Sequence, residues 1–248
     1  MSIPGRTQPY SLNRVHLIRF VLPLALLLVA APLFAQQSYV ARYDAYGGYA
    51  FLNSPQVSLF ENGFATQVGV RVRRWVSLGF DYSRASGDLK ITPDLLPTAL
   101  QQSLGAQLGA LAAAGRLPQG YSLVVPARSV TQTFAAGPQL AYRGMSHATL
   151  FLRPVFAGLI HEVATPKPGD PIAAAIVAQL APEGKKTDNV LFIGFGGGFD
   201  ILFSRNFGWR TQADLVYDHL FNDLLRDGRF TTRFSTGPCF NFGRNVEK

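Results

Sequence analysis

From Leu191 to Phe203 the chain places Leu191, Ile193, Phe195, Gly197, Phe199, Ile201 and Phe203 at alternate positions, with Gly194, Gly196, Gly198 and Asp200 between them. Period two sends successive side chains to opposite faces of an extended strand. One face of such a strand is greasy and the other is small or polar. The pattern recurs. Trp209, Thr211, Ala213, Leu215, Tyr217, His219 and Phe221 oppose Arg210, Gln212, Asp214 and Asp218. Phe230, Thr232, Phe234, Thr236, Pro238, Phe240 and Phe242 oppose Arg229, Thr231, Arg233, Ser235, Cys239 and Asn241. Phe64, Thr66, Val68, Val70 and Val72 oppose Gln67, Arg71 and Arg73, and Val76, Leu78, Phe80 and Tyr82 oppose Ser77, Gly79, Asp81 and Ser83.

Three weaker segments complete the set. Asp44 to Leu52 is rich in Gly and Tyr, and Val130 to Arg143 alternates through Phe134, Ala136, Leu140 and Tyr142. Thr149 to His161 sets Leu150, Leu152, Phe156 and Ile160 against Thr149, Arg153 and His161. The total is eight strands, an even number, as single-chain bacterial membrane barrels have. The connections alternate in length. Residues 73–75, 144–147 and 204–207 make short turns, whereas 53–63, 86–127, 163–189 and 222–228 make longer loops. Short turns on one side of the membrane and longer loops on the other are the pattern of a barrel with both termini in the periplasm. The predicted fold is therefore all-β, an eight-stranded antiparallel up-and-down transmembrane barrel. Asp94 to Gly115, followed by Pro118, and Pro171 to Leu180, ended by Pro182, are predicted as helices in the outer loops.

Composition supports this reading. Charged residues are 15% of the chain, against about 25% in an average soluble domain. Beyond Ala35 no apolar stretch approaches the ~20 residues of a spanning helix. The first 35 residues read as a secretory signal. Arg14, His16 and Arg19 form its basic region, Phe20 to about Ala31 its apolar region, and Leu33-Phe34-Ala35 its cleavage site. Residues 36–248 then form one barrel domain. Removing Arg6, Arg14 and Arg19 with the signal leaves 20 basic and 15 acidic residues, a mild +5. No basic stripe suggests nucleic acid. Cys239 is the chain's single cysteine, so an internal disulfide is excluded.

Eight strands enclose a space that side chains can fill. The inward faces carry Asp44, Arg71, Arg73, Asp81, Arg143, Arg153, Asp200, Arg210, Asp214, Asp218, Arg229 and Arg233. Charges in so confined a space need partners of opposite sign. The expectation is a lumen plugged by paired charges, with a narrow gated path as the alternative.

Several motifs carry a family resemblance over most of residues 40–243. They are Tyr43-Asp-Ala-Tyr-Gly-Gly-Tyr-Ala-Phe-Leu52, Gly194-Phe-Gly-Gly-Gly-Phe-Asp-Ile201, Arg210-Thr-Gln-Ala-Asp214 and Gly237-Pro-Cys-Phe-Asn-Phe242. The chain resembles the eight-stranded outer-membrane barrels of the OmpA and OmpX type, a family with structural, adhesive and pore-forming members. The resemblance implies a bacterial outer-membrane location, contact with outer-membrane lipid and lipopolysaccharide, and no cofactor. Many such barrels end on an aromatic residue, whereas here Gly243-Arg-Asn-Val-Glu-Lys248 follows Phe242. Neither a cell-wall-binding domain nor an oligomer is expected.

Catalysis finds little support. Beyond the signal the histidines are His147, His161 and His219; the last two, with Ser83 and Ser86, fall near the outer strand ends where lipid-modifying chemistry would occur. No Gly-x-Ser-x-Gly elbow is present, and one Cys with these His spacings makes no metal set. The Gly194-Phe-Gly-Gly-Gly run lies inside a strand with no helix after it, which excludes a phosphate loop. The sequence points to a non-catalytic structural or surface-interaction barrel, with a small pore and a lipid-modifying enzyme as successive alternatives. Loops 86–127 and 163–189 are the expected surface for a partner.

Overall fold

Strands joined by short turns pair most cheaply with their chain neighbours, and in lipid the last must also pair with the first so that no backbone edge is left unsatisfied. The computed structural model, which describes residues 37–221 and 228–246, has this arrangement. The strands are β1 (Ala41–Ser54), β2 (Leu59–Arg73), β3 (Val76–Ile91), β4 (Val125–Tyr142), β5 (Ala148–Pro166), β6 (Lys186–Leu202), β7 (Phe207–Asp218) and β8 (Arg229–Asn245). They form a closed antiparallel barrel in sequence order. β1 closes on β8 from Ala41 opposite Asn245 to Asn53 opposite Thr232. The expected signal over residues 1–35, and residues 222–227 of the fourth long connection, lie outside the described residues.

The faces separate sharply. Leu78, Leu152, Ile193, Phe195, Phe234 and Phe240 are exposed on the outside, while Asp81, Arg153, Asp200, Arg210, Asp214 and Arg233 are buried within. A polar interior inside an apolar exterior inverts the arrangement of a water-soluble protein and matches a bilayer. The strands run from 12 residues in β7 to 19 in β5. A tilted strand crosses the hydrocarbon in about 9–11 residues, so the longer strands stand well clear of it. They do so unevenly. The β6–β7 ladder stops at Ile193 opposite Tyr217, whereas β6 continues beside β5 to Lys186.

Four sequence expectations are corrected. The first concerns 53–63, which contains Asn53, Ser54, Pro55, Asn62 and Gly63 and was expected to be a loop. The strands instead run through most of it and leave a single 3-10 turn, Pro55–Val57. Alternation outweighs the turn-forming residues there, because Leu59 and Glu61 are buried and Phe60 is exposed. Likewise β3 and β4 extend to Ile91 and Val125, and β5 and β6 to Pro166 and Lys186, so the two great loops shrink to 92–124 and 167–185.

The second correction lies in β5. Pairing with β4 passes from Leu140 opposite Leu152 to Ala136 opposite Ala157, so β5 has one residue more than β4 in between. The irregularity falls at Pro154, which has no N–H to give the ladder. An inserted residue reverses which side chains face in. Thr149, Phe151 and Arg153 face inward before it; Phe156, Ile160, Glu162 and Ala164 face inward after it. Phe156 and Ile160, expected outside, are thus 1% and 2% exposed. His161, expected inside, hydrogen-bonds Asn189 on the outer side.

The third correction is Arg73. The β2–β3 register shifts between Arg71 and Arg73, and Arg73 ends exposed at the turn. The fourth is the end of β7. The strand ends at Asp218; the alternation of exposed and buried residues carries on to Leu220 and breaks at Phe221, which takes a left-handed φ of 52° and is buried. Leu220 and Phe221 turn into the mouth of the barrel against Phe192 and Val216.

A closed barrel of this kind resists detergent until heated. The purified protein should therefore run at a different apparent mass on a detergent gel before and after boiling. Identical mobility in both lanes would contradict closure.

Candidate functional site

Alternation brings ten of the twelve predicted charges into the lumen as buried side chains: Asp44, Arg71, Asp81, Arg153, Asp200, Arg210, Asp214, Asp218, Arg229 and Arg233. Arg143, just past β4, is partly buried at the turn end, and Arg73 is outside. The sequence reading missed Glu61 and Glu162, both 2% exposed. Glu61 was hidden by the apparent loop before β2, and Glu162 by the reversal at Pro154. The lumen so defined holds six arginines and seven carboxylates, not seven and five.

The charges form three tiers. Nearest the short turns, Arg210 donates from Nε and Nη2 to the two oxygens of Asp200 at 2.7 and 2.9 Å, and from Nη2 to Asp44 at 3.0 Å. Its Nη1 donates to Gln67 Oε1 at 2.7 Å. Arg71 lies 3.5 Å from Asp44 and donates to Asn241 and the Ala41 carbonyl. The middle tier alternates two arginines and two carboxylates. Arg233 reaches Asp214 at 2.7 Å and Asp81 at 3.1 Å, and Arg153 reaches Asp214 at 3.4 Å and also pairs with Asp81. Phe156, turned inward by the Pro154 reversal, lies under Arg153 with its ring centre 4.0 Å from the guanidinium carbon. Gly194 leaves room for that ring, since a Cβ there would meet Phe156 Cζ at 2.6 Å.

The third tier, nearest the long loops, joins Arg229 to Glu162 at 2.7 Å and Asp218 at 3.3 Å. Glu162 also accepts from Ser129 at 2.8 Å, and Glu61 accepts from Thr131 at 2.9 Å. Burying each ion in a low-dielectric interior is offset by pairing only when its remaining donors and acceptors are also used. Arg210 and Arg233 meet that requirement with several partners each.

Above the third tier the long loops build a cap. Helix α1 (Thr98–Ala113) lies in the second outer loop and α2 (Pro171–Leu180) in the third. Asp170 caps α2 by accepting from Ile172 N and Ala173 N at 2.9 Å, and Pro171 occupies the first turn. Tyr121 in the second loop donates its hydroxyl to the same carboxylate at 3.1 Å, which ties the two loops together. Leu96, Leu104, Leu123, Ala173 and Ile176 form the cap's own small core. Beneath it lies a small space, partly continuous with the exterior, walled by apolar side chains and floored by Glu162 and Arg229.

The candidate catalytic groups do not converge. Ser83 bonds Thr133 inside the barrel, whereas His161 bonds Asn189 outside. His147 and His219 are exposed, one in a turn and the other past the end of β7. Among the described residues no cluster of His, Cys, Asp and Glu has metal-binding geometry.

No family model and no curated protein matches the sequence. Solved structures with the same architecture do align. One is Ail, the attachment invasion locus protein of Yersinia pestis, determined with the heparin analogue sucrose octasulfate. It aligns with TM-score 0.46 and 12% identity over 82% of this chain and 99% of its own. Neisserial surface protein A gives TM-score 0.45 and 12% identity over 81% and 96%. OprG of Pseudomonas aeruginosa gives 0.44 and 8% over 84% and 99%.

Two outcomes follow. Asp214→Ala leaves Arg153 and Arg233 sharing Asp81 alone, so urea unfolding in lipid vesicles should show a loss of about 3–5 kcal/mol. A loss under about 1 kcal/mol would mean that water or another group replaces Asp214. Burial, with the Asp170 carboxylate alongside, raises the Tyr121 phenol above its ordinary value. The docked cap therefore favours the neutral phenol. Its contribution is complete below pH ~10 and disappears as pH rises through the raised value. Protease cleavage of loop 92–124 should accelerate across that range, and Tyr121→Phe should remove the step.

Proposed function

We propose that this chain is a non-catalytic outer-membrane barrel that carries an ordered platform of two helical loops at the cell surface, above a lumen closed by paired charges. The observation that carries this reading is the three-tiered ion-pair network. Arginines and carboxylates from strands on opposite sides of the barrel meet at hydrogen-bonding distance, as Arg233 of β8 does with Asp81 of β3 at 3.1 Å. Side chains that meet across the lumen fill the space that an ion path would need, which supports a closed lumen. Leu220 and Phe221 further fill the mouth.

The platform supports a role in contact with other molecules. Strands longer than the bilayer requires lift it away from the lipid, and Asp170 and Tyr121 hold it in one arrangement. Helix α1 contains no charged residue, and its exposed positions are mostly Ala, Gly, Gln and Ser. Such a face lets a partner approach closely with little side-chain ordering or desolvation. The remaining assignments are parts of the same proposal: residues 1–35 as a cleaved export signal, residues 36–248 as one domain, lipid and lipopolysaccharide as surroundings, and a monomeric state.

Recording from planar bilayers containing the purified protein tests the closed lumen. The expected trace shows no reproducible unitary conductance at neutral pH, and stable unitary steps would replace this reading with that of a small pore. Mass spectra of lipid A from cells with and without the protein should coincide; a protein-dependent mass change would establish catalysis instead.

A further inference from the structure

The end of the barrel opposite the cap has its own chemistry, which neither the plug nor the platform uses. Arg42, Arg73, Arg205 and Arg244 are exposed there, and Arg74 is half-buried beside them. Among the described residues the acids at this end are Asp44 and Asp200, both buried on Arg210. The exposed charge of the described residues at this end is thus wholly positive.

Each turn also joins an exposed aromatic to an arginine. Trp75 follows Arg73 and Arg74, Tyr142 precedes Arg143, and Phe203 and Phe207 flank Arg205. Two of these arginines are held in place. Arg205 stacks on Tyr39 with its guanidinium carbon 4.2 Å from the ring centre, and Arg74 donates to the Gln37 carbonyl. Behind them a small polar recess is lined by Arg71, Arg143, Arg205, Asp200, Thr149 and Asn241. Arg143 Nη1 is buried there without a hydrogen-bond partner among the described residues.

Tryptophan, tyrosine and phenylalanine at a barrel rim settle at the headgroup level of a bilayer. Arginines one or two residues further along then lie at the depth of the phosphates, which the guanidinium fork binds through paired N–H donors. We infer that the turn end is a collar for anionic phospholipid headgroups, engaging their phosphodiesters in the leaflet it meets. Five guanidiniums, with no exposed carboxylate among the described residues beside them, favour a lipid of net negative charge over a zwitterionic one. The inference rests on the reading of the chain as a membrane barrel.

The test uses the full-length protein in nanodiscs of equimolar phosphatidylglycerol and phosphatidylcholine, with the lipids retained after mild detergent extraction counted by native mass spectrometry. Phosphatidylglycerol should be retained over phosphatidylcholine by about fivefold or more. High salt should weaken the preference. The variant R42Q/R73Q/R205Q/R244Q should abolish it while keeping the mobility shift on boiling that marks a closed barrel. Equal retention of the two lipids by the inserted protein would overturn the collar and leave the barrel reading intact, as would an undiminished preference in the folded variant. Binding of inorganic phosphate without any lipid preference would overturn it too. If the variant does not fold, R42Q/R244Q, confined to the strand ends, should reduce the preference, and no reduction would count against the collar. Failure of the unaltered protein to enter nanodiscs would overturn the membrane reading and the collar with it.

Discussion

Closure of β1 on β8 is the constraint from which the rest of the structure follows. A sheet edge facing lipid would leave a row of N–H and C=O groups without partners. Joining the first strand to the last satisfies them but fixes the interior at the narrow bore of eight strands. Side chains on the inner face cannot then remain hydrated as they would on a surface. An arginine placed there has to meet a carboxylate from across the barrel. The tiers built around Arg210, Arg233 and Arg229 follow from this geometric limit as much as from the sequence.

Their composition also explains why the interior is ordered. Arg210 spends its donors on Asp200, Asp44 and Gln67, residues of β6, β1 and β2, and so links strands that are not neighbours. Arg233 links β8 to β7 and β3. Backbone ladders hold each strand to its neighbours, while these side chains brace the cylinder across its diameter. The inward Phe156 adds an apolar surface beneath Arg153 that an all-polar filling would lack.

Much of this was legible in the sequence. Alternation of large apolar with small or polar residues located every strand, and it placed the charges of β7 and β8 inside because the pairing of those two strands keeps an unbroken register past them. What escaped depends on single residues at which the period breaks. An extra residue at Pro154 reverses the rest of β5, and this turned Phe156, Ile160 and Glu162 inward and His161 outward. No property of Pro154 in isolation shows whether the count slips there; the slip is set by register with β4. Glu61 was lost for the opposite reason, since Asn62 and Gly63 read locally as a turn but are drawn into β2 by pairing with Ser86 and Ala85. The pairing of arginines with particular carboxylates lies beyond sequence reading, because it depends on stagger around the barrel.

The unequal heights of β6 and β7 give the molecule a front and a back. Beyond the last β6–β7 pair, Lys186 to Phe192 continues for seven residues, a rise of roughly 23 Å along the strand. Among the described strands, the sheet is tall where β3 to β6 carry both helical loops and shorter at β7. A large molecule moving in the plane of the membrane therefore meets strands of different height from each compass direction. Rotation of the barrel about its own axis, which leaves its lipid contacts nearly unchanged, would decide which profile it presents.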